Sequence, residues 1–168
     1  MTGVSARRII RCAAAAAALG LASAGCGFQL RGAPALATES VHVSGGSSEL
    51  RLALRRAIEA ESGTRIAATP KEARARLRIR GEEREKSVLT LNAAGQVREY
   101  LLGYRVTFDV LDAAGKVAVA ESRIALTREF PFSSSQLLAR EAEEALLYQD
   151  MQRDAVHQML RRLAAAQL

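Results

Sequence analysis

Glu99-Tyr100-Leu101-Leu102-Gly103-Tyr104-Arg105-Val106-Thr107-Phe108-Asp109-Val110 carries the clearest two-residue alternation in the chain. Tyr100, Leu102, Tyr104, Val106, Phe108 and Val110 fall on one face; Glu99, Gly103, Arg105, Thr107 and Asp109 fall on the other, with Leu101 the exception. Successive side chains of a strand point to opposite faces, so the pattern predicts a strand with one buried and one wetter side, in a sheet covered on one face. Asn92-Ala93-Ala94-Gly95 precedes this strand and Asp112-Ala113-Ala114-Gly115 follows it. Both have turn composition ending in glycine, so the strand is the middle of two consecutive hairpins.

Working outward, Leu77 and Ile79 alternate with Arg76, Arg78 and Arg80, and Val88, Leu89 and Leu91 follow the polar stretch Glu82 to Lys86. Together they read as one long strand, open to an interruption at the polar stretch. After the second turn come Val117 and Val119, then Ile124, Leu126 and Phe130 with opposite parity. A bulge near Glu121 to Arg123 accounts for the change; so does inward packing of Ala118 and Ala120. Val41-His42-Val43 reads as a short first strand, Gly45-Gly46 as a turn, and Ser47 or Ser48 as a helix cap. Leu50, Ala53, Leu54, Ala57 and Ile58 recur at helical spacing, and Gly63 supplies a stop. A long last helix opens after Ser133 to Ser135 and carries the stripe Leu138, Ala142, Ala145, Tyr148, Met151, Ala155, Met159 and Leu163. Its early Glu141, Glu143 and Glu144 and late Arg161 and Arg162 suit the helix dipole. The predicted order is strand, helix, three strands, helix. The fold class that follows is α+β, a two-layer sandwich with a mostly antiparallel or mixed four-stranded sheet and two helices on one face.

The N-terminus sets the compartment. Arg7, Arg8 and Arg11 precede an apolar run from Cys12 to Leu21, and small residues from Ala22 to Gly25 lead to Cys26. Charged, apolar, then small is the architecture of a secretory signal, and the apolar run is shorter than the ~20 residues a membrane-spanning helix needs. Leu21-Ala22-Ser23-Ala24-Gly25-Cys26 resembles a bacterial lipobox, with Ser23 standing where Leu is usual. That resemblance implies lipidation of Cys26, and Gly27 rather than Asp after it implies sorting to the outer membrane. Once the leader is gone Cys26 is the one remaining cysteine, which leaves no internal disulfide to form, and acylation removes a free thiol from an oxidising compartment. The expected organisation is a signal peptide over 1–25, a lipidated tether over 26–38, and a single domain over 39–168.

The whole sequence has 168 residues and a formal charge of +6, but removing the leader's three arginines leaves 21 basic against 18 acidic residues, a net of +3. So mild an excess gives no reason to expect nucleic acid, and a lipid or saccharide phosphate suits it equally well. Two histidines, His42 and His157, stand apart, and no cysteine or histidine cluster has metal-ligand spacing. No serine-nucleophile elbow, H-E-x-x-H pair or phosphate-binding glycine loop occurs. Glu82, Glu83 and Glu85 lie in a mixed-charge run with Arg84 and Lys86, which reads as a solvated face rather than a carboxylate pair for catalysis. No enzyme activity, cofactor or metal is expected.

Cys26-Gly27-Phe28-Gln29-Leu30-Arg31-Gly32 resembles the start of the mature lipopolysaccharide-assembly lipoproteins of the LptE family. Gly95 to Tyr100, Arg128-Glu129-Phe130, Leu147 to Met151 and Arg161-Arg162-Leu163 are similar to later segments of that family, in the same order. The resemblance implies a non-enzymatic α/β domain that plugs and helps assemble a large LptD-type outer-membrane β-barrel and binds lipopolysaccharide. It also implies basic residues at the hairpin before the central strand and at the start of the last helix. Arg140 matches the second; at the first the sequence has Leu91 and Asn92, and Arg98 is the nearest substitute. Arg98, Arg128 and Arg140 are therefore the expected lipopolysaccharide contacts, since a guanidinium pairs with phosphate through two hydrogen bonds. The competing expectation for each is an ordinary exposed arginine or an ion pair such as Arg140 with Glu144. Tyr100, Tyr104 and Phe108 are expected in the core rather than on acyl chains. A free-standing lipid-binding or scaffold lipoprotein is the alternative function.

Overall fold

The alternating strand is the centre of the sheet's antiparallel half. The computed structural model of the chain describes Leu36 and residues 38–132 and 137–166. The readings of the leader, of Cys26, of Ser133 to Ser135 as caps, and of the tether apart from Leu36 and Thr38 lie outside these residues. The elements are β1 (Ser40–Gly45), α1 (Ser48–Ser62), β2 (Arg65–Ile66), β3 (Ala75–Leu91), β4 (Val97–Asp112), β5 (Val117–Pro131) and α2 (Leu137–Ala164). One five-stranded sheet runs in the order β2-β1-β3-β4-β5. β1 is parallel to both β2 and β3, while β3, β4 and β5 are antiparallel hairpin neighbours. The fold is α+β as expected, with one strand more than the four read from sequence. The extra strand, β2, is two residues long, too short for alternation to show.

Both hairpin turns close alike. Asn92 N–H donates to the Gln96 carbonyl and Asp112 N–H to the Lys116 carbonyl. The Asn92 and Asp112 side chains accept from the backbone N–H of residues 96 and 116. Gly95 and Gly115 take the positive φ these turns need. A sharper constraint falls at Gly45, where φ is +79° and a Cβ would stand 2.1 Å from the Ile79 carbonyl oxygen.

A bulge decides which charges meet the core. Ile79 pairs with Phe108, but Gly81 pairs with Thr107, so Arg80 is an extra residue in β3. Before it, odd residues Ala75, Leu77 and Ile79 are buried; after it, even residues Glu82, Arg84, Lys86 and Val88 pair with the inward-facing Val106, Tyr104, Leu102 and Tyr100. A second irregularity sets Ser122 opposite Phe108 and Val119 opposite Val110, which favours the bulge over inward Ala118 and Ala120.

α1 buries Leu50, Leu54 and Ile58, and α2 buries Tyr148, Met151, Ala155, Met159 and Leu163, against Val106, Phe108, Val110 and Phe130 of the sheet. Tyr104 and Phe108 are core residues, as expected; Tyr100 is half-buried beside it. Ser47 caps α1, accepting from Leu50 N–H, and Gly63 ends it in the left-handed region. The helical stripe of α2 is cut short at its start, because Ala142 and Ala145 are exposed.

Asp109 was expected on the wetter face, yet it is buried. Arg78 grips it through two hydrogen bonds of 2.8 and 2.7 Å, and Arg80 adds one of 3.0 Å. The Arg78 hydrogen bonds hold the Asp109 carboxyl below its ordinary range against the opposing effect of burial, with Arg80 assisting. A depressed carboxyl contributes stability that is present above its unfolded pKa of about 4 and lost as pH falls through the folded value. Asp109→Asn is therefore expected to flatten the acid limb of the stability curve below about pH 4, read by thermal unfolding at a series of pH values. An unchanged acid limb would refute the assignment.

Candidate functional site

The ribbon of β3 and β4 outgrows its helical cover, and the candidate site lies at that end. Glu82 marks the limit of α1. It accepts from the Ser47 backbone N–H at 2.7 Å, the Ser47 hydroxyl at 3.1 Å and the Tyr104 hydroxyl at 2.8 Å. Burial first, then the bond to Glu82, pushes the Tyr104 hydroxyl well above its ordinary value. Arg84 lies over the Tyr104 and Tyr148 rings at 6.0 and 5.4 Å and bonds Glu49 at 3.0 Å. Tyr148 donates its hydroxyl to the Glu85 carbonyl, and burial raises its pKa also. Lys86 pairs with Glu144 at 2.5 Å and sits 4.4 Å from the centre of the Tyr100 ring. Tyr100 in turn packs edge-on to Phe132.

Beyond Lys86 the ribbon carries no charge from Ser87 to Val97, and Val88, Leu89 and Leu91 are exposed there. Arg98 stands exposed at its base, where its carbonyl accepts from Phe132 N–H. Arg140 lies in the first turn of α2 at the same end, paired with Glu143 at 2.7 Å and not with Glu144, which Lys86 takes.

Arg128 is set apart from these two. It faces the helices opposite Leu102 and bonds Asp154 of α2 at 2.7 Å. Asp154 is four helical turns beyond Arg140, about 21 Å along the axis, so Arg128 and Arg140 do not converge. Arg98 and Arg140 share the ribbon end. Lys86 lies between them and the core; in the sequence it belongs to a run that reads as a solvated face, and the extra residue at Arg80 turns the even residues after it inward. Glu83 and Glu85, on the outer face, pair with Arg105. Among the described residues, no group of acidic, histidine or cysteine side chains is placed to hold a metal, and no helix is long and apolar enough to cross a membrane.

The family LptE, lipopolysaccharide-assembly, matches residues 38–163 of this chain. A search of curated proteins finds none that matches. Among solved structures, the chain is similar to uncharacterized lipoprotein B from Nitrosomonas europaea, at 37% identity and a TM-score of 0.72, covering 83% of this chain and 91% of that one. The rare lipoprotein B from Shewanella oneidensis shares the fold at 24% identity and TM-score 0.66, over 75% of this chain and 94% of that one. A minor lipoprotein from Acinetobacter baumannii does so at 19% identity and TM-score 0.62, over 77% and 93%. With the family match spanning the sheet and nearly all of both helices, the chain belongs to the LptE family of lipopolysaccharide-assembly proteins.

Proposed function

We propose that this protein is an outer-membrane lipoprotein, anchored through acylated Cys26 after removal of residues 1–25, that plugs and helps assemble an LptD-type β-barrel and binds lipopolysaccharide. The family match over residues 38–163 is the observation that carries the reading. The lipobox-like leader supplies the anchor, and residues 26–38 supply the tether to the domain over 39–168. In this reading the protein catalyses nothing; it occupies, positions and binds.

The ribbon end supports lipid contact there. Arg98 and Arg140 offer guanidinium groups for phosphate, and Val88, Leu89 and Leu91 offer apolar surface for acyl chains. Arg128 completes the proposed basic set only at a distance, with its charge already engaged by Asp154.

The test is extraction of a tagged, membrane-expressed chain in mild detergent, followed by identification of what co-purifies. A stoichiometric large β-barrel is the expected result; a chain recovered without one would overturn the plug reading in favour of a free-standing lipid-binding lipoprotein. The double variant Arg98→Glu, Arg140→Glu is expected to weaken lipopolysaccharide binding about tenfold, which corresponds to ~1.4 kcal/mol, while the barrel still co-purifies. Arg128→Glu is expected to change binding less, and to lower the unfolding midpoint instead.

A further inference from the structure

The two helices do not close over the sheet along their whole length. A cleft of about 570 Å³ opens between the first half of α1 and the middle of α2. Its walls combine apolar surface with unbalanced positive charge. Leu52 stands 48% exposed on its rim, and the small side chains of Ala53 and Ala145 leave access to the buried Tyr148. Arg84 and Arg153 reach it already paired, with Glu49 and Asp150. Arg56 reaches it with no ion-pair or hydrogen-bond partner among the described residues.

Gln152 makes the cleft more than a gap. It is 7% exposed and lines the cleft, and its amide has no hydrogen-bond partner among the described residues. An amide at a mostly buried residue, with no protein partner, is free to donate to and accept from whatever enters the cleft. The Gln152 amide atoms are open to the cleft: among the described residues, the one side-chain polar atom wholly hidden and unmatched is the Nε of Arg76.

We propose that the α1–α2 cleft binds a single-chain anionic amphiphile, its phosphate or carboxylate between Arg56 and the Gln152 amide and its aliphatic chain along Leu52, Ala53 and Tyr148. The charge asks for an anion, since Arg56 is unmatched while Glu49 is neutralised by Arg84. The apolar wall asks for a hydrocarbon attached to it. The volume is that of one drug-sized molecule, within the ~300–1,000 Å³ usual for such sites, which suits a single aliphatic chain. The site is separate from the ribbon end and does not rest on the lipopolysaccharide reading.

The test is titration of the full chain, nitrogen-15 labelled, with hexyl phosphate, followed on the side-chain resonances of Gln152 and the arginines. The expected result is saturable binding that shifts Gln152 and Arg56, at least tenfold tighter than inorganic phosphate or hexanol. Arg56→Glu, at an exposed position, is expected to weaken it at least tenfold, and Gln152→Leu likewise with the unfolding midpoint kept. Arg55→Glu, one residue away and outside the cleft, is expected to leave it unchanged. Equal affinity for inorganic phosphate, equal loss in Arg55→Glu, or shifts confined to Lys86, Arg98 and Arg140 would each overturn the inference. Co-purification of the barrel reads the other proposal independently.

Discussion

Phe108→Ala is expected to destabilise the protein by about 3–5 kcal/mol, the cost of removing a large buried aromatic ring and leaving a cavity. Phe108 is fully buried at the centre of the sheet. It pairs with Ile79 on one side and Ser122 on the other. Both partners lie next to a bulge, so each neighbouring strand is locally irregular there. Arg162 of α2 lies over the ring at 5.8 Å and also donates to the Arg123 carbonyl, tying the helix end to β5. Collapse of the neighbours into the space would have to move a register already pinned by two bulges, which argues for the upper half of the range. Domains are stable by only ~5–15 kcal/mol, so the variant is expected to unfold at a much lower denaturant concentration. Equilibrium denaturation of wild type and variant measures it. A loss below about 1.5 kcal/mol, the scale of a volume-conserving swap, would mean that the core is not packed as described.

Phe108 is also legible in the sequence. Its strand alternates with Leu101 as the single exception, and alternation is a direct consequence of strand geometry. The turns around it were legible because Asn92-Ala93-Ala94-Gly95 and Asp112-Ala113-Ala114-Gly115 each put a side-chain acceptor first and a glycine last. The polar stretch from Glu82 to Lys86 was legible only by half. Composition marks it as charged, but which charges turn inward depends on the register of β3 against β4, a non-local property. The extra residue at Arg80 sends Glu82, Arg84 and Lys86 to the helices and leaves Glu83 and Glu85 on the outer face. Asp109 escaped for the same reason, since its burial comes from two arginines on the neighbouring strand. Where Arg98, Arg128 and Arg140 stand relative to one another was not legible, because α2 carries Arg128's partner Asp154 far from Arg140. The α1–α2 cleft left no trace in the sequence at all: Arg56 and Gln152 come to line one cleft only through the packing of two helices.

Glu82→Ala is expected to cost about 2–3 kcal/mol, the sum expected for a lost helix-cap partner of ~1 kcal/mol and charge-assisted hydrogen bonds of ~1.5–3 kcal/mol, discounted for partial exposure. The size follows from what one carboxylate holds together. One oxygen accepts from the backbone N–H of Ser47, just before α1, and the other from the Ser47 and Tyr104 hydroxyls. Removing it leaves the Tyr104 hydroxyl without its acceptor in a residue only 1% exposed. Glu82→Gln keeps the shape and one acceptor, so its loss is expected to be about half as large. Tyr104→Phe removes the hydroxyl instead, and a double-mutant cycle with Glu82→Ala is expected to return a coupling of about 1 kcal/mol. The two sites act independently if the cycle returns zero, which would refute the coupling of Tyr104 to Ser47 through Glu82. An alkaline titration gives a second reading. Tyr104 holds its proton in the folded state above its ordinary value, so its contribution is complete below about pH 10 and lost as pH rises beyond it. Tyr104→Phe is therefore expected to flatten the alkaline limb above about pH 10 in part, with Tyr148, raised for the same reason of burial, retaining the remainder.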